Sequence, residues 1–337
     1  MLLKRHIKTK LLNTAKASLS TQTKIPDDQR ILKSDSKVIK NLDWYLRLIR
    51  FDKQIGTKLL LLPWYWSIAL ATPAGLLPSF YTMALFGAGA VTARSAGWVI
   101  NDYWDKDIDK LVERTKYRPL TTGEISENKA LLLFGSLTAT CFGIAYLLPL
   151  KVTTLGFWAI PLVISYPRFK RFFRHPQMML GVTFNWGVFM GYAAILNALN
   201  FQILIPLYIG SIWWTVFYDT IYAFQDIQYD KQLNLNSSAI ELQEFPKSSL
   251  AVLAGISILS IGTCGFLAGL HSSFYALLSV AGGHYAWQLN RLDIKNEEVC
   301  RKLFISNQYL GLIIVFAFVF GTYFKRKPVK ESLKAHN

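Results

Sequence analysis

The chain has 337 residues, of which 52% are hydrophobic and 14% aromatic, and it carries a formal net charge of +16. Apolar runs of about 20 residues recur along the sequence, which indicates a polytopic helical membrane protein and argues against a soluble domain. The basic residues lie in short loops and at the two ends, without a basic helix face or a zinc or base-stacking motif, so we expect no nucleic-acid partner. Cys141, Cys264 and Cys300 are odd in number and far apart, which argues against a disulfide framework and a zinc site.

The first 26 residues are rich in basic and hydroxyl side chains and contain no acidic residue. This composition is typical of a mitochondrial transit peptide, and a basic tail without a targeting role is the alternative. Residues 27–40 have the composition of a flexible linker, so we assign 1–40 to the transit peptide and linker. From Asn41 the chain is aromatic and amphipathic, which predicts a helix at the membrane interface. The membrane domain then covers 41–325, and 326–337 form a basic tail.

Nine apolar segments follow the interfacial helix, and we predict that each spans the membrane. They cover residues 55–73, 79–100, 129–148, 152–166, 178–197, 201–222, 249–269, 272–289 and 304–324. The loops after the second, fourth, sixth and eighth segments are basic, whereas the loops on the other side contain only Lys151. By the positive-inside rule the basic loops face inward, which in the mitochondrial inner membrane means toward the matrix.

A polar sequence, Asn-Asp-Tyr-Trp-Asp-Lys-Asp-Ile-Asp, directly follows the second apolar segment at residues 101–109. Asn101, Asp105 and Asp109 are four residues apart and therefore share one face of a helix. Carboxylates at the edge of a membrane are costly when unpaired, so a cluster of them there indicates a function. We call residues 101–109 the first acidic motif.

The same spacing recurs at residues 219–230, directly after the sixth apolar segment. Tyr222, Asp226 and Asp230 repeat it, and Asp219 lies two helical turns before Asp226, so it points roughly the same way. We call residues 219–230 the second acidic motif. Two such motifs at matched spacing are more specific than one, which is usually a solvated loop.

The two motifs together suit a diphosphate bridged by divalent metal. Magnesium prefers oxygen ligands and binds through one or two carboxylates plus substrate phosphates, keeping several waters. The predicted ligands of a magnesium diphosphate are Asp105, Asp109, Asp226 and Asp230, with the amide oxygen of Asn101.

Basic residues near the first motif can contact the phosphate oxygens that the metal leaves free. Arg114 and Arg118 follow the motif, and Lys170 lies in the loop after the fourth segment. A calcium-binding EF-hand at the same place is excluded, because Lys110 and Lys116 stand where glycine and glutamate are required.

Two sequence patterns and several flanking phrases carry a family resemblance. Residues 101–109 match the pattern Asn-Asp-x-x-Asp-x-x-x-Asp, and residues 219–230 match Asp-x-x-Tyr-Ala-x-x-Asp-x-x-x-Asp. With Asp52-Lys53, Tyr166-Pro167 and Asn185-Trp186-Gly187, they make the chain resemble the UbiA superfamily of intramembrane prenyltransferases, and within it the branch that acts on 4-hydroxybenzoate. The resemblance covers residues 41–322. The chain departs from the pattern at Gln54, where the family has proline, and at Asn234 and Asn236, where it has glycine and lysine.

The resemblance implies an all-α fold of nine transmembrane helices around a central cavity. It implies an aromatic prenyltransferase of ubiquinone biosynthesis that moves a polyprenyl group from polyprenyl diphosphate to the ring carbon ortho to the hydroxyl of 4-hydroxybenzoate, with Mg²⁺ as cofactor. The expected partners are these two substrates, the lipid bilayer and other enzymes of ubiquinone biosynthesis. The expected catalytic residues are Asn101, Asp105, Asp109, Asp219, Asp226 and Asp230. The expected substrate-binding residues are Arg94, Arg50, Lys53, Arg114, Arg118, Lys170 and Tyr222.

The carboxylate of the acceptor requires a cation, and Arg94 is the family-matched candidate. It lies seven residues before Asn101 and therefore on the same helix face. Arg50 is the second choice, and a snorkelling arginine at a helix end is the alternative interpretation of Arg94.

Two other functions remain open from the sequence. The same fold serves prenyl transfer to other acceptors, including haem and quinones, and acceptor choice rests on few residues. A transporter could use intramembrane acids for ion coupling, but this would not explain why both motifs lie in polar loops beside arginine and lysine.

Overall fold

The computed structural model describes residues 30–33, 36–111, 115–169, 173–233 and 236–326. Within these ranges the chain forms helices and turns and no strand, which confirms the predicted all-α class. The helices are α1 Lys37–Leu48, α2 Ile55–Ala71, α3 Phe80–Asp109, α4 Pro119–Thr122, α5 Glu127–Tyr146, α6 Leu150–Phe169, α7 Pro176–Asn185, α8 Gly187–Leu196, α9 Phe201–Ala223, α10 Ile227–Leu233, α11 Ser238–Leu242, α12 Pro246–Leu267, α13 Ser272–Arg291 and α14 Glu297–Tyr323. The predicted transit peptide, at residues 1–26, and nearly all of the basic tail lie outside the described residues, as do residues 27–29, 34 and 35 of the predicted linker. The last linker residues, 37–40, belong to α1.

Six helices of the described chain are long and apolar enough to cross a membrane, judged by length and composition. They are Phe80–Asp109, Glu127–Tyr146, Pro176–Leu196, Phe201–Asp226, Pro246–Leu267 and Glu297–Tyr323. Two further apolar helices, Ile55–Ala71 and Leu150–Tyr166, are shorter. Helix α13 is too polar to join the six, because its 20 residues include His284, Gln288 and Asn290. Each of the nine predicted segments coincides with helical structure, but the count of nine spans is not confirmed and stays a prediction.

The described residues divide into two compact units. The first contains the chain up to Gln54 together with Thr92–Thr140, and the second contains Ile55–Val91 and the chain from Cys141 onward. Helix α3 contributes residues to both units.

The first unit has a small apolar core of Leu48, Val99, Leu120, Ile125 and Ala130. The predicted interfacial helix is present as α1 and begins four residues earlier than expected, at Lys37. Its Arg47 donates to Asp43 Oδ2 at 2.8 Å and to Glu124 Oε2 at 2.7 Å, and also to the carbonyl of Tyr117 at 3.2 Å. These bonds fix α1 against the segment around α4.

The second unit has a larger core in which aromatic side chains from several helices meet. The rings of Trp66 and Trp214 lie 4.9 Å apart between centroids. Their indole N–H groups donate to the Gly311 carbonyl at 2.8 Å and to Asn307 Oδ1 at 3.2 Å. Each buried indole nitrogen therefore has the partner that an apolar environment requires.

Glycines allow the helices of the second unit to approach closely. A Cβ added at Gly191 of α8 would lie 2.3 Å from Ser67 Oγ and 2.7 Å from the Trp64 carbonyl, both on α2. A Cβ at Gly311 of α14 would lie 2.6 Å from Leu62. Since lipid tails are as apolar as the helices, such backbone packing is a main source of association between membrane helices.

We expect Gly191→Ala to lower the free energy of unfolding by about 1–3 kcal/mol, because a carbonyl oxygen of α2 would have to move. Gly255→Ala is the matched control, since Gly255 is also helical and has nothing within 4 Å of its added Cβ. The control should leave stability unchanged or slightly raise it. Thermal unfolding of the two purified variants in detergent measures the difference, and equal midpoints would contradict the close approach of α2 and α8.

Candidate active site

The first acidic motif forms the last turns of α3, as its spacing predicted. Asp102, Asp105 and Asp109 follow one another at three and four residues, so they share one face of the helix. Asp102 and Asp105 are each 1% exposed and Asp109 is 5% exposed. Asn101 is buried as well. The motif is therefore a buried cluster of carboxylates and not a solvated loop.

Arginine side chains compensate this buried negative charge within the first unit. Arg118 Nη1 donates to Asp102 Oδ1 at 3.0 Å and to Asp109 Oδ2 at 2.5 Å. Arg50 Nη2 donates to the same Asp102 oxygen at 2.9 Å. Burial alone would lower the pKa of the Arg118 guanidinium, but Asp102 and Asp109 raise it above its ordinary value, so Arg118 is charged.

The bonds of Arg118 use only part of its donor capacity. Both leave from Nη1, so Nη2 and Nε have no hydrogen-bond partner among the described residues. A guanidinium has five N–H donors in a planar fork, which suits a phosphate. Arg118 can therefore bind another anion while it holds the two carboxylates.

Asp102 was not among the predicted site residues, yet it accepts bonds from two arginines. The four-residue spacing of the first motif selects Asn101, Asp105 and Asp109, and Asp102 does not belong to that series. Its seven-residue separation from Asp109 was the available signal, because two helical turns bring both carboxylates within reach of one arginine.

Arg94 lies inside the first unit and is 7% exposed, which does not fit a snorkelling position at a helix end. Its Nη1 donates to the carbonyl of Arg50 at 3.4 Å and its Nη2 donates to the carbonyl of Lys53. Its Nε is buried and has no partner among the described residues. The Lys53 side chain is exposed.

Trp98 lies one turn after Arg94 and contacts two cations. The Arg50 Cζ atom is 3.3 Å from the Trp98 ring centroid, and the Arg94 Cζ atom is 5.6 Å from it. Arg50 itself adopts a positive φ of 52°. An arginine stacked on an indole is held in a fixed orientation, and the stacking compensates part of its desolvation.

The second acidic motif, in the second unit, is less regular than its spacing predicted. Asp219 and Tyr222 belong to α9, but a 3₁₀ turn, Phe224–Asp226, follows, and Asp230 lies in α10. The expectation of one continuous helical face is therefore wrong, because a 3₁₀ turn rotates by about 120° per residue instead of about 100°. Asp219, Asp226 and Asp230 are half-buried.

The segment after the second motif is held by Gln177, at the start of α7. Its Nε2 donates to Ser237 Oγ at 3.2 Å, and its Oε1 accepts from the backbone N–H of Ser238 at 3.0 Å. Ser238 Oγ also lies 2.6 Å from Thr220 Oγ1 on α9. Gln177 is not among the site residues that the sequence predicts.

Some predicted residues lie outside the described chain, namely Arg114, Lys170 and Asn234. Their roles stay predictions.

The described residues contain no group of three or more histidine, cysteine, aspartate or glutamate side chains that could hold a metal ion alone. Magnesium does not require such a group, since it usually binds one or two carboxylates and completes its shell with water and substrate phosphates. The donors in both motifs are carboxylate oxygens, with the Asn101 amide in the first. They fit magnesium that arrives with a diphosphate.

The chain is similar in sequence to enzymes of several animals. A sequence model of the UbiA prenyltransferase family matches residues 60–323. A protein of Caenorhabditis elegans named 4-hydroxybenzoate polyprenyltransferase, mitochondrial, is 40% identical over 93% of this chain and 88% of its own length. The proteins of that name from Homo sapiens and Drosophila melanogaster are 40% and 37% identical, over 86% and 96% of this chain and 78% and 82% of their own lengths.

Solved structures share the fold. A UbiA homolog from Aeropyrum pernix K1, in its apo form, has a TM-score of 0.66 at 22% identity and covers 79% of this chain and 98% of its own. A UbiA homolog from Archaeoglobus fulgidus, bound to GPP and Mg²⁺, has a TM-score of 0.65 at 18% identity and covers 82% and 98%.

We expect Asp102→Asn to lower the free energy of unfolding by about 3 kcal/mol or more, because it leaves two arginines without their shared buried carboxylate. Asp107→Asn removes the same charge from the same helix, but the Asp107 side chain is 69% exposed and forms its ion pair with Lys110 at the surface. That control should cost less than about 1 kcal/mol. Denaturation of both purified variants tests the difference, and an equally mild effect of Asp102→Asn would show that the buried network does not stabilise the fold.

Proposed function

The chain belongs to the UbiA prenyltransferase family, and we propose that this enzyme transfers a polyprenyl group from polyprenyl diphosphate to the ring carbon ortho to the hydroxyl of 4-hydroxybenzoate. The observation that carries the proposal is the buried end of α3, where three carboxylates lie beside Arg50 and the charged Arg118. A site with both signs of charge suits a diphosphate, its metal and an aromatic acid. The names of relatives that are 37% to 40% identical support 4-hydroxybenzoate as the acceptor.

We propose that the two acidic motifs hold the diphosphate through magnesium. The ligands would be Asp105 and Asp109 of the first motif with the Asn101 amide oxygen, and Asp226 and Asp230 of the second. Magnesium, when bound, supplies positive charge that offsets the charge of the leaving diphosphate. The Mg²⁺ and GPP bound by the Archaeoglobus fulgidus homolog support this assignment.

Arg118 would bind the diphosphate oxygens directly. Its Nη2 and Nε are available among the described residues, and Asp102 and Asp109 hold its Nη1 in place. A guanidinium fixed in this way loses little conformational entropy when a phosphate binds. Arg114 and Lys170 are proposed as further contacts to the diphosphate. Asp219 and Tyr222 of the second motif would line the site that holds it.

Arg94 would hold the carboxylate of 4-hydroxybenzoate. Its guanidinium is fixed by the carbonyls of Arg50 and Lys53, and its buried Nε is free for an acceptor among the described residues. The Trp98 ring, on which Arg50 stacks, also lies beside Arg94 and adds aromatic surface to this part of the first unit. Arg50 is the second choice for this role.

The reaction breaks the allylic carbon–oxygen bond, and the electron pair leaves with the diphosphate. The ortho ring carbon of the acceptor then forms the new carbon–carbon bond, and that carbon loses its proton, which restores the aromatic ring. The residues described above bind and orient both substrates, and the buried site limits the water that could capture the allylic cation.

We further propose a location in the mitochondrial inner membrane with the acidic motifs facing the matrix. The mitochondrial relatives and the membrane-type helices support a mitochondrial membrane protein. With nine spans, the basic loops and both acidic motifs lie on the same side of the membrane. By the positive-inside rule that side is the matrix. Residues 1–40 would be the transit peptide and linker, 41–325 the catalytic domain and 326–337 a basic tail.

Membranes that contain the protein should transfer a labelled prenyl group to 4-hydroxybenzoate when magnesium is present. Asp105→Asn and Asp226→Asn keep the side-chain shape and remove a charged ligand, so each should slow transfer at least about a hundredfold. The measurement is the amount of labelled product formed at equal protein levels. It is made with 4-hydroxybenzoate, with other aromatic acids and with quinol precursors as acceptors. Near-normal transfer in either variant would contradict the two-motif site, and transfer only to another acceptor would contradict the proposed substrate.

Arg94→Ala should raise the KM for 4-hydroxybenzoate at least about tenfold, because charge-assisted hydrogen bonds are worth roughly 1.5–3 kcal/mol each. Arg94→Lys keeps the charge, loses the two-point fork and should be intermediate. The KM for the prenyl diphosphate should change much less. Comparing both constants in matched membranes tests the assignment, since an equal rise in both would assign Arg94 to the diphosphate site or to folding.

A further inference from the structure

A cavity of about 490 Å³ lies in the second unit, where α2, α8, α12 and α14 end and α9 begins. Its wall is mostly apolar and includes Leu70, Leu76, Leu196 and Ile203. Ligand sites in proteins typically measure about 300–1,000 Å³. The cavity is therefore large enough for part of a small amphipathic molecule, and none of the predicted catalytic or substrate-binding residues lines it.

Polar groups of α14 and the residues after it line the same cavity. The Lys325 Nζ donates to the Ala268 carbonyl at 2.6 Å, which fixes the ammonium beside the cavity. An ammonium has three donors, so Lys325 can bind a further acceptor. Arg326 is exposed at the cavity. Thr322 is 3% exposed, and its hydroxyl has no hydrogen-bond partner among the described residues.

The unpartnered Thr322 hydroxyl is an independent indication of a ligand. Buried hydroxyl groups are nearly always hydrogen-bonded, and a threonine in a helix can bond the carbonyl four residues earlier. Thr322 does not make that bond in the structure, although it lies in the last turn of α14. A ligand oxygen in the cavity would supply the missing partner.

The charged residues among those that line the cavity, Lys325 and Arg326, are both basic. The segments 72–79, 197–200 and 268–271 contain no aspartate or glutamate, and neither do the other residues that line the cavity. Phe80, Tyr81, Tyr323 and Phe324 are exposed on adjoining segments. Exposed aromatic side chains of this kind occur at the membrane–water interface, at the depth of the lipid headgroups. Lysine and arginine side chains at that depth can bind the phosphate of an anionic headgroup.

We propose that this cavity binds a phospholipid with an anionic headgroup. Lys325 and Arg326 bind the headgroup phosphate, and the Thr322 hydroxyl donates to a phosphate or ester oxygen. The first part of an acyl chain lies on Leu70 and Leu196 and continues into the bilayer. A free phosphate ion would match the cations but would leave the apolar wall uncovered. This lipid site does not depend on the proposed reaction.

Purified full-length protein in a neutral detergent tests the proposal by thermal unfolding. Dioleoylphosphatidylglycerol should raise the midpoint by roughly 3 °C or more, and dioleoylphosphatidylcholine much less, because a ligand that binds only the folded state stabilises it. Lys325→Ala with Arg326→Ala should abolish the difference between the two lipids. Lys247→Ala with Lys295→Ala removes the same charge from exposed positions, and this control should preserve the difference between the two lipids.

Further measurements test whether a free phosphate can replace the lipid and whether the hydroxyl and the apolar wall contribute to binding. Inorganic phosphate and glycerol 3-phosphate should not reproduce the shift, and Thr322→Val should reduce it. Leu196→Trp fills the cavity without changing its charge and should also reduce it. Native mass spectrometry counts the retained lipid, which keeps the test valid for a variant of low stability.

Equal shifts with both lipids, or equal losses in the two double variants, would overturn the proposal. If inorganic phosphate alone gave the full shift in the unfolding midpoint, the ligand of the cavity would be a free anion and not a lipid. An undiminished lipid shift in Leu196→Trp would show that the acyl chain does not occupy the cavity.

Discussion

The carboxylates of Asp102 and Asp109 at the end of α3 can be buried because arginines reach them, and this pairing connects the parts of the first unit. A buried ion without a partner is far costlier than the pair is favourable. Asp102 accepts hydrogen bonds from Arg50, in the turn after α1, and from Arg118, at the start of α4. Arg94 in turn donates to the carbonyls of Arg50 and Lys53 and so holds the turn that supplies Arg50. Two separate segments of the chain, the turn after α1 and the start of α4, are thereby bonded to α3.

Local periodicity explains what could be predicted, and long-range partners explain what could not. The apolar runs specified the helices, and the four-residue spacing placed the first motif correctly on α3 because its helix is continuous. The same spacing failed at the second motif, where a 3₁₀ turn interrupts the helix after Ala223. The roles of Asp102 and Gln177 depend on partners 16 to 61 positions away. The spacing of Asp102 and Asp109 shows that they share a helix face, but it does not identify the arginine that binds them.

The count of spans shows a similar limit, because hydropathy treats a helix as if lipid surrounded it. Helix α13 is too polar for the six candidate spans, but its Gln288 and His284 side chains have hydrogen-bond partners inside the second unit. Gln288 exchanges hydrogen bonds with Asn307 of α14 and contacts His284 at 3.0 Å. A helix whose polar groups are bonded to its neighbours can lie at membrane depth despite a low hydropathy. Length and composition alone therefore do not decide the number of spans.

The energetics of the arginine network favour a binding role over a purely structural one. Well-packed apolar residues of similar volume often stabilise a protein as well as a buried ion pair does, so stability alone is a weak reason for so many buried charges. Arg118 joins two carboxylates through one nitrogen and keeps the rest of its fork unused among the described residues. A network that only stabilised the fold would gain from using those donors. The unused donors instead match a ligand with several oxygens, which an incoming diphosphate would provide without breaking the carboxylate bonds that hold the arginine in place.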